Sequence, residues 1–137
     1  MEDNNKKNDN EVIEKKEGSE ANPQPQIVEN TIGFDDFKKV EMVVALIEQA
    51  SKVENADRLL KLEVDTGEDK RVLVAGVAEH YSPDELTGKK IIIIKNLKPA
   101  KIRGILSRGM ILAASGPDGR PYIPIIPEET PVGAILK

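Results

Sequence analysis

From Ile32 onward, apolar residues come in short runs broken by turn residues about every ten positions, a spacing that predicts many short strands around one core. Met42 to Ile47 is a continuous apolar run of strand length. Leu60, Leu62 and Val64 alternate with Lys61, Glu63 and Asp65, which gives a strand with one face inward and one in water. Thr66-Gly67-Glu68-Asp69 reads as a turn, and a valine-rich third strand follows over residues 71–77, with Gly76 marking a bulge or a close approach. Ser82-Pro83-Asp84-Glu85 combines a serine N-cap, a proline at the first helical position and a capping-box glutamate, so a short helix starts there and ends at Gly88. The β-branched stretch 89–95, built on four isoleucines, is the fourth strand, and residues 110–114 are the fifth, before the Gly116-Pro117-Asp118-Gly119 turn.

Three strands, a helix and two strands is the order of an OB-fold, an all-β, five-stranded Greek-key barrel with its helix between strands 3 and 4. The proline-punctuated end, residues 121–137, exceeds what the barrel needs and is expected to form edge strands or an interface. Residues 1–31 offer little to bury and include Pro23-Gln24-Pro25-Gln26, so they are expected to be a disordered tail or linker, with residues 32–137 as the single folded domain.

Charge changes this picture. The chain carries a net charge of -4, but four lysines against eight acids before Ile32 account for all of it, leaving the folded part neutral. Within that neutral part, residues 86–117 contain no Asp or Glu and hold Lys89, Lys90, Lys95, Lys98, Lys101, Arg103 and Arg108. An ordinary surface mixes signs, so an acid-free stretch on an OB barrel points to a polyanion such as nucleic acid.

Candidate chemistry narrows the field further. With no cysteine there is no disulfide framework and no thiolate metal site. His80 is the only histidine and lacks the partners that a triad or metal centre requires. Gly104 and Gly109 have the glycine spacing of a phosphate-binding loop, but Met110-Ile111 stands where Lys and Ser or Thr are needed. No enzyme, cofactor or metal is therefore expected. The polar start has no apolar signal region and no run approaches the ~18 apolar residues of a membrane span, so a cytoplasmic, membrane-free protein is expected. The aromatics are Phe34, Phe37, Tyr81 and Tyr122, none in the basic stretch, which favours backbone and shape recognition over base stacking.

Five blocks carry a family resemblance: residues 36–41 (DFKKVE), 55–60 (NADRLL), 74–78 (VAGVA), 96–104 (NLKPAKIRG) and 107–114 (SRGMILAA). In order and spacing they resemble the tRNA-binding domain appended to many methionyl-tRNA synthetases and also found as free-standing tRNA-binding proteins. The resemblance implies structure-specific tRNA binding without catalysis, and a homodimer paired through the C-terminal extension. Its motifs nominate Asn55 and Arg58 in the turn after the first strand, Lys98, Lys101 and Arg103 in the basic loop, and Ser107, Arg108 and Met110 at the fifth strand. The chain departs from the family at Val43 and Leu46, where the family's first strand usually carries basic residues, and at Arg108, where it commonly lacks one. Two other functions are compatible with the same fold: an export-related dimeric chaperone binding unfolded polypeptide through apolar surface, and a dimerisation module of a synthetase.

Overall fold

A computed structural model describes residues 30–137. The chain divides into a unit of residues 1–33 and a second unit of residues 34–137, and the latter carries the fold. The tail assigned to residues 1–31 therefore lies almost wholly outside the described residues. No helix among those described is long and apolar enough to cross a membrane.

The second unit opens with a five-residue helix, α1 (Phe34–Lys38), and then a long strand, β1 (Met42–Val53). β2 (Ala56–Asp65) and β3 (Lys70–Ala75) complete an antiparallel meander. Helix α2 (Pro83–Leu86) follows, its start fixed by the Ser82 cap and the reciprocal Glu85 capping box. β4 (Lys90–Ile94) then pairs antiparallel with β1, and β7 (Met110–Ile111) pairs with β4, giving the order β3-β2-β1-β4-β7. The barrel closes where β3 meets the chain just before β7: the Arg108 amide donates to the Val72 carbonyl at 2.9 Å, and the Val74 amide donates to the Ser107 hydroxyl at 3.0 Å.

The core is what the alternation demands. Leu60, Leu62 and Val64 of β2 are buried, with Leu73 and Ala75 of β3 as partners of Leu62 and Leu60, and Ile91 and Ile93 of β4 close the other side. Removing one such side chain, as in Leu62→Ala, belongs to the class of core truncations that cost about 2–5 kcal/mol.

The OB-type barrel is as expected, but its strand inventory differs. Besides the five-strand path, the described residues contain β5 (Ala100–Ile102), β6 (Ile105–Ser107), β8 (Ala114–Ser115), β9 (Pro121–Tyr122) and β10 (Ile135–Leu136). The fifth strand breaks after Ile111 and resumes as β8, paired with β9. The third strand ends at Ala75, and Gly76 makes no close approach. β1 runs on to Val53 past a register shift between Ile47 and Gln49; its second half, Glu48 to Lys52, shows no apolar run because much of it faces water. α1 is too short to show a helical period.

The C-terminal segment serves as an edge, as anticipated. β10 pairs with the start of β1 through Met42↔Leu136 and Val43↔Ile135, filling the place beside β1 that β2 leaves open. Gly67 and Gly133 permit this contact: a Cβ at Gly67 would lie 2.9 Å from the Val132 carbonyl oxygen, and one at Gly133 would lie 2.9 Å from that of Thr66.

Candidate nucleic-acid interface

The seven cations that are neighbours in sequence separate into three groups in space. Lys89 and Lys90 lie at the start of β4, a strand of five residues and so roughly 15 Å from its other end. The Lys90 ammonium donates to the Glu128 and Thr130 carbonyls, both at 2.6 Å, and fastens the C-terminal extension. Lys95 and Arg108 form the second group. Lys95 bonds Glu68 at 2.8 Å, which raises its pKa, and Arg108 lies 3.8 Å from the Asp69 carboxylate.

The third group is Lys98, Lys101 and Arg103, all exposed. Lys101 and Arg103 belong to a β5–β6 hairpin with the register Ala100↔Ser107, Lys101↔Leu106 and Ile102↔Ile105. Its two-residue loop is Arg103-Gly104, with φ of 50° and 81°, the positive pair of a type I′ turn. Ser107 is buried, so Lys101 and Leu106 share the opposite, outward face. Among the described residues, Lys98 and Lys101 make no ion pair, and the only hydrogen bond of the Arg103 side chain is a long one, 3.4 Å, to the Asn55 carbonyl.

That bond joins the hairpin tip to the β1–β2 turn. Asn55 holds the turn with φ 61°, a left-handed conformation that asparagine tolerates better than most residues. Asn55, Arg58 and Arg103 thus line one shallow depression, together with Asp57. Arg58 stands in β2 rather than in the turn, with its side chain 80% exposed and 3.5 Å from Glu79. Two carboxylates therefore border a site that looks purely basic when only residues 86–117 are considered.

Ser107 and Met110 divide. The Ser107 hydroxyl accepts from the Val74 amide and donates to the Gly109 carbonyl at 3.3 Å, so its one proton is engaged at the barrel seam, and the residue is buried. Met110 is 43% exposed beside Ile94. Of the two departures on the first strand, Val43 is buried between its partners Ile93 and Ile135, and Leu46 is half-buried.

Sequence reasoning missed Arg71. Its guanidinium, only 10% exposed, donates to the Lys95 carbonyl at 2.9 Å and the Arg108 carbonyl at 3.1 Å, the two ends of the excursion that carries the hairpin. Asp69 holds it in a bidentate pair at 2.9 and 3.1 Å. That pairing, with a 2.7 Å bond from the Thr66 hydroxyl, lowers the Asp69 pKa from 3.8 to about 2. Nothing in the local sequence distinguishes Arg71 from Lys70 beside it, which is exposed and pairs with Glu48.

The fold defines a class: a small OB-type β-barrel module, here with an exposed cationic hairpin whose tip meets the β1–β2 turn. Residues 42–134 match the family described as "Putative tRNA binding domain". The chain belongs to that family. It is 51% identical over 92 residues to a methionine-tRNA ligase of Chlorobium luteolum, an alignment covering 67% of this chain and 13% of that enzyme. The chain thus spans a small fraction of the curated relatives it matches. A structure of a methionyl-tRNA-synthetase-related protein from Pyrococcus horikoshii superposes with a TM-score of 0.77 at 42% identity, covering 79% of this chain and 99% of that one. The chaperone CsaA of Picrophilus torridus superposes with a TM-score of 0.68 at 27% identity, covering 78% and 100% respectively.

Proposed function

We propose that the chain binds tRNA, without catalysing a reaction, through the β5–β6 hairpin and the β1–β2 turn. It does so as an appended domain or β-subunit of a methionyl-tRNA synthetase, or as a free-standing tRNA-binding protein, in the cytoplasm. The observation that carries this reading is the exposed trio Lys98, Lys101 and Arg103, left without carboxylate partners while the neighbouring cations Lys95 and Arg108 face acids. Arg58 and Asn55 extend the surface. Ser107 supports it from beneath by fixing the strand that carries Leu106, and Arg108 contributes its backbone carbonyl to the Arg71 clamp.

Phosphate neutralisation releases counterions, so affinity must fall with salt. With four cations at the surface, log affinity is expected to fall against log salt with a slope of roughly -3 to -3.5. The test is a titration of total tRNA by gel shift or filter binding over a range of salt, beside the Lys98→Ala, Lys101→Ala, Arg103→Ala triple variant. Binding lost in the variant supports the proposal; a slope near zero, or an unchanged triple variant, sinks it. The chaperone reading needs an apolar capture surface, and its nearest counterpart is a groove of about 680 Å3 lined by residues including Phe34, Val40 and Ile135. We assign that groove instead to a second copy of the chain, because β10 with its exposed Ile135 lies at its rim and at the sheet edge.

A further inference from the structure

Most of the large apolar side chains exposed on the second unit fall into two groups, with Tyr122 and Ile125 outside both. Phe34, Val40 and Ile135 surround the groove just described, whereas Leu97, Leu106 and Met110 fall within the basic segment, at 48%, 51% and 43% exposure. A single exposed leucine is ordinary. Leu106 is less ordinary, because the hairpin register sets it directly opposite Lys101 on the outward face, one residue from the buried Ser107 and two from the turn that carries Arg103. A polar residue at that position would satisfy the strand and the solvent equally well. The hairpin instead offers an aliphatic surface flanked by cations, and the bonds at Ser107 and from Arg71 tie its base to the barrel.

A phosphate has no use for an aliphatic neighbour, but the flat face of an unstacked nucleobase does. We propose that Leu106 packs against an exposed base face while Lys101 and Arg103 hold the adjoining phosphates. This rests on the tRNA reading and deepens it: the feature recognised is a place where the RNA presents a base plane, such as a loop or a junction of loops, rather than the side of a continuous helix, whose base faces are stacked away. Absence of aromatics from the basic stretch thus means a weaker apolar contact, not the lack of one.

Salt separates the two kinds of contact. A cation contributes to the salt slope by about 0.7 to 0.9 per phosphate, whereas an apolar contact releases no counterions. Three proteins are titrated with total tRNA across salt: the intact chain, Leu106→Ala and Lys101→Ala. Leu106→Ala is expected to weaken binding about fivefold at every salt concentration with the slope unchanged, the effect of losing a half-buried aliphatic contact. Lys101→Ala is expected to flatten the slope by about 0.8. Leu106→Phe, which restores and enlarges the apolar face, is expected to bind at least as tightly as the intact chain. A blunt, fully paired RNA duplex is the control, expected to bind the intact chain and Leu106→Ala equally. The inference is overturned if Leu106→Ala, shown folded by its thermal transition, binds tRNA as the intact chain does, or if it weakens duplex binding to the same extent. Failure of the intact chain to bind tRNA at all overturns the underlying reading instead.

Discussion

Arg103 occupies a backbone position, φ 50°, in which an L-residue with a Cβ is strained by roughly 1–2 kcal/mol, while glycine is nearly free of that cost. Asn or Gly is the relaxed choice at the first position of such a turn. Retaining arginine there is a local conflict between stability and surface charge, and conflicts of that kind mark functional positions. Arg103→Gly is therefore expected to raise the thermal midpoint, by up to about 1 kcal/mol of stability, and to lower tRNA affinity several-fold. Differential scanning calorimetry and the salt titration measure the two effects, and loss of stability together with undiminished binding would contradict the assignment. The same turn explains why the hairpin was not legible in advance: Arg-Gly lacks the Asn-Gly or Asp-Gly signature, so residues 98–103 read as a basic loop. The bond that Ser107 accepts was hidden for a related reason, since its donor, the Val74 amide, lies on a strand more than thirty residues away in sequence.

The excursion between β4 and β7 depends on one ion pair at its base. Arg71 bonds the carbonyls of Lys95 and Arg108, and Asp69 orients Arg71. Asp69 titrates at about 2 in the folded chain against 3.8 for an unperturbed group, chiefly because of its bonds from Arg71 and Thr66. The ionised form is favoured by folding, so its contribution is complete above pH ~4 and is lost as the pH falls through about 2. Asp69→Asn is expected to cost about 1–2 kcal/mol at neutral pH, the carboxylate being 36% exposed and so partly screened. The difference between variant and intact chain, followed by urea denaturation, should shrink between pH ~4 and 2; a gap that stays constant over that interval would show that the carboxylate's charge is not what holds Arg71. The clamp also predicts weaker tRNA binding by Asp69→Asn at neutral pH, although the substitution removes a negative charge and simple electrostatics predicts the opposite.

At the scale of the molecule, two surfaces differ in character: a cationic hairpin and an apolar groove edged by β10. If the groove is covered by a second copy, each assembly presents two hairpins, and a tRNA that reaches both gains from the raised effective concentration. Ile135→Asp tests this, because Ile135 is 70% exposed and its replacement leaves the core intact. Sedimentation of the intact chain is expected to give twice the monomer mass and the variant the monomer mass, with the thermal midpoint of the barrel little changed. An intact chain that sediments as a monomer removes the proposed partner from the groove.

Sequence alone determined the β-rich character, the places of the first three strands, the capped helix and the core of β2, because each follows from local periodicity or from a cap whose partners lie within a few residues. It also located the basic stretch and the motifs that carry the family. Tertiary structure decided which cations are available. Lys90 fastens the extension, Lys95 faces Glu68 and Arg108 faces Asp69, while Lys98, Lys101 and Arg103 are left exposed, Arg103 beside Asn55 and Arg58. Charge is a property of a residue and can be counted along the chain. Whether that charge is already neutralised depends on which acid the fold brings within about 4 Å, and neither Glu68 nor Asp69 is near its partner in sequence.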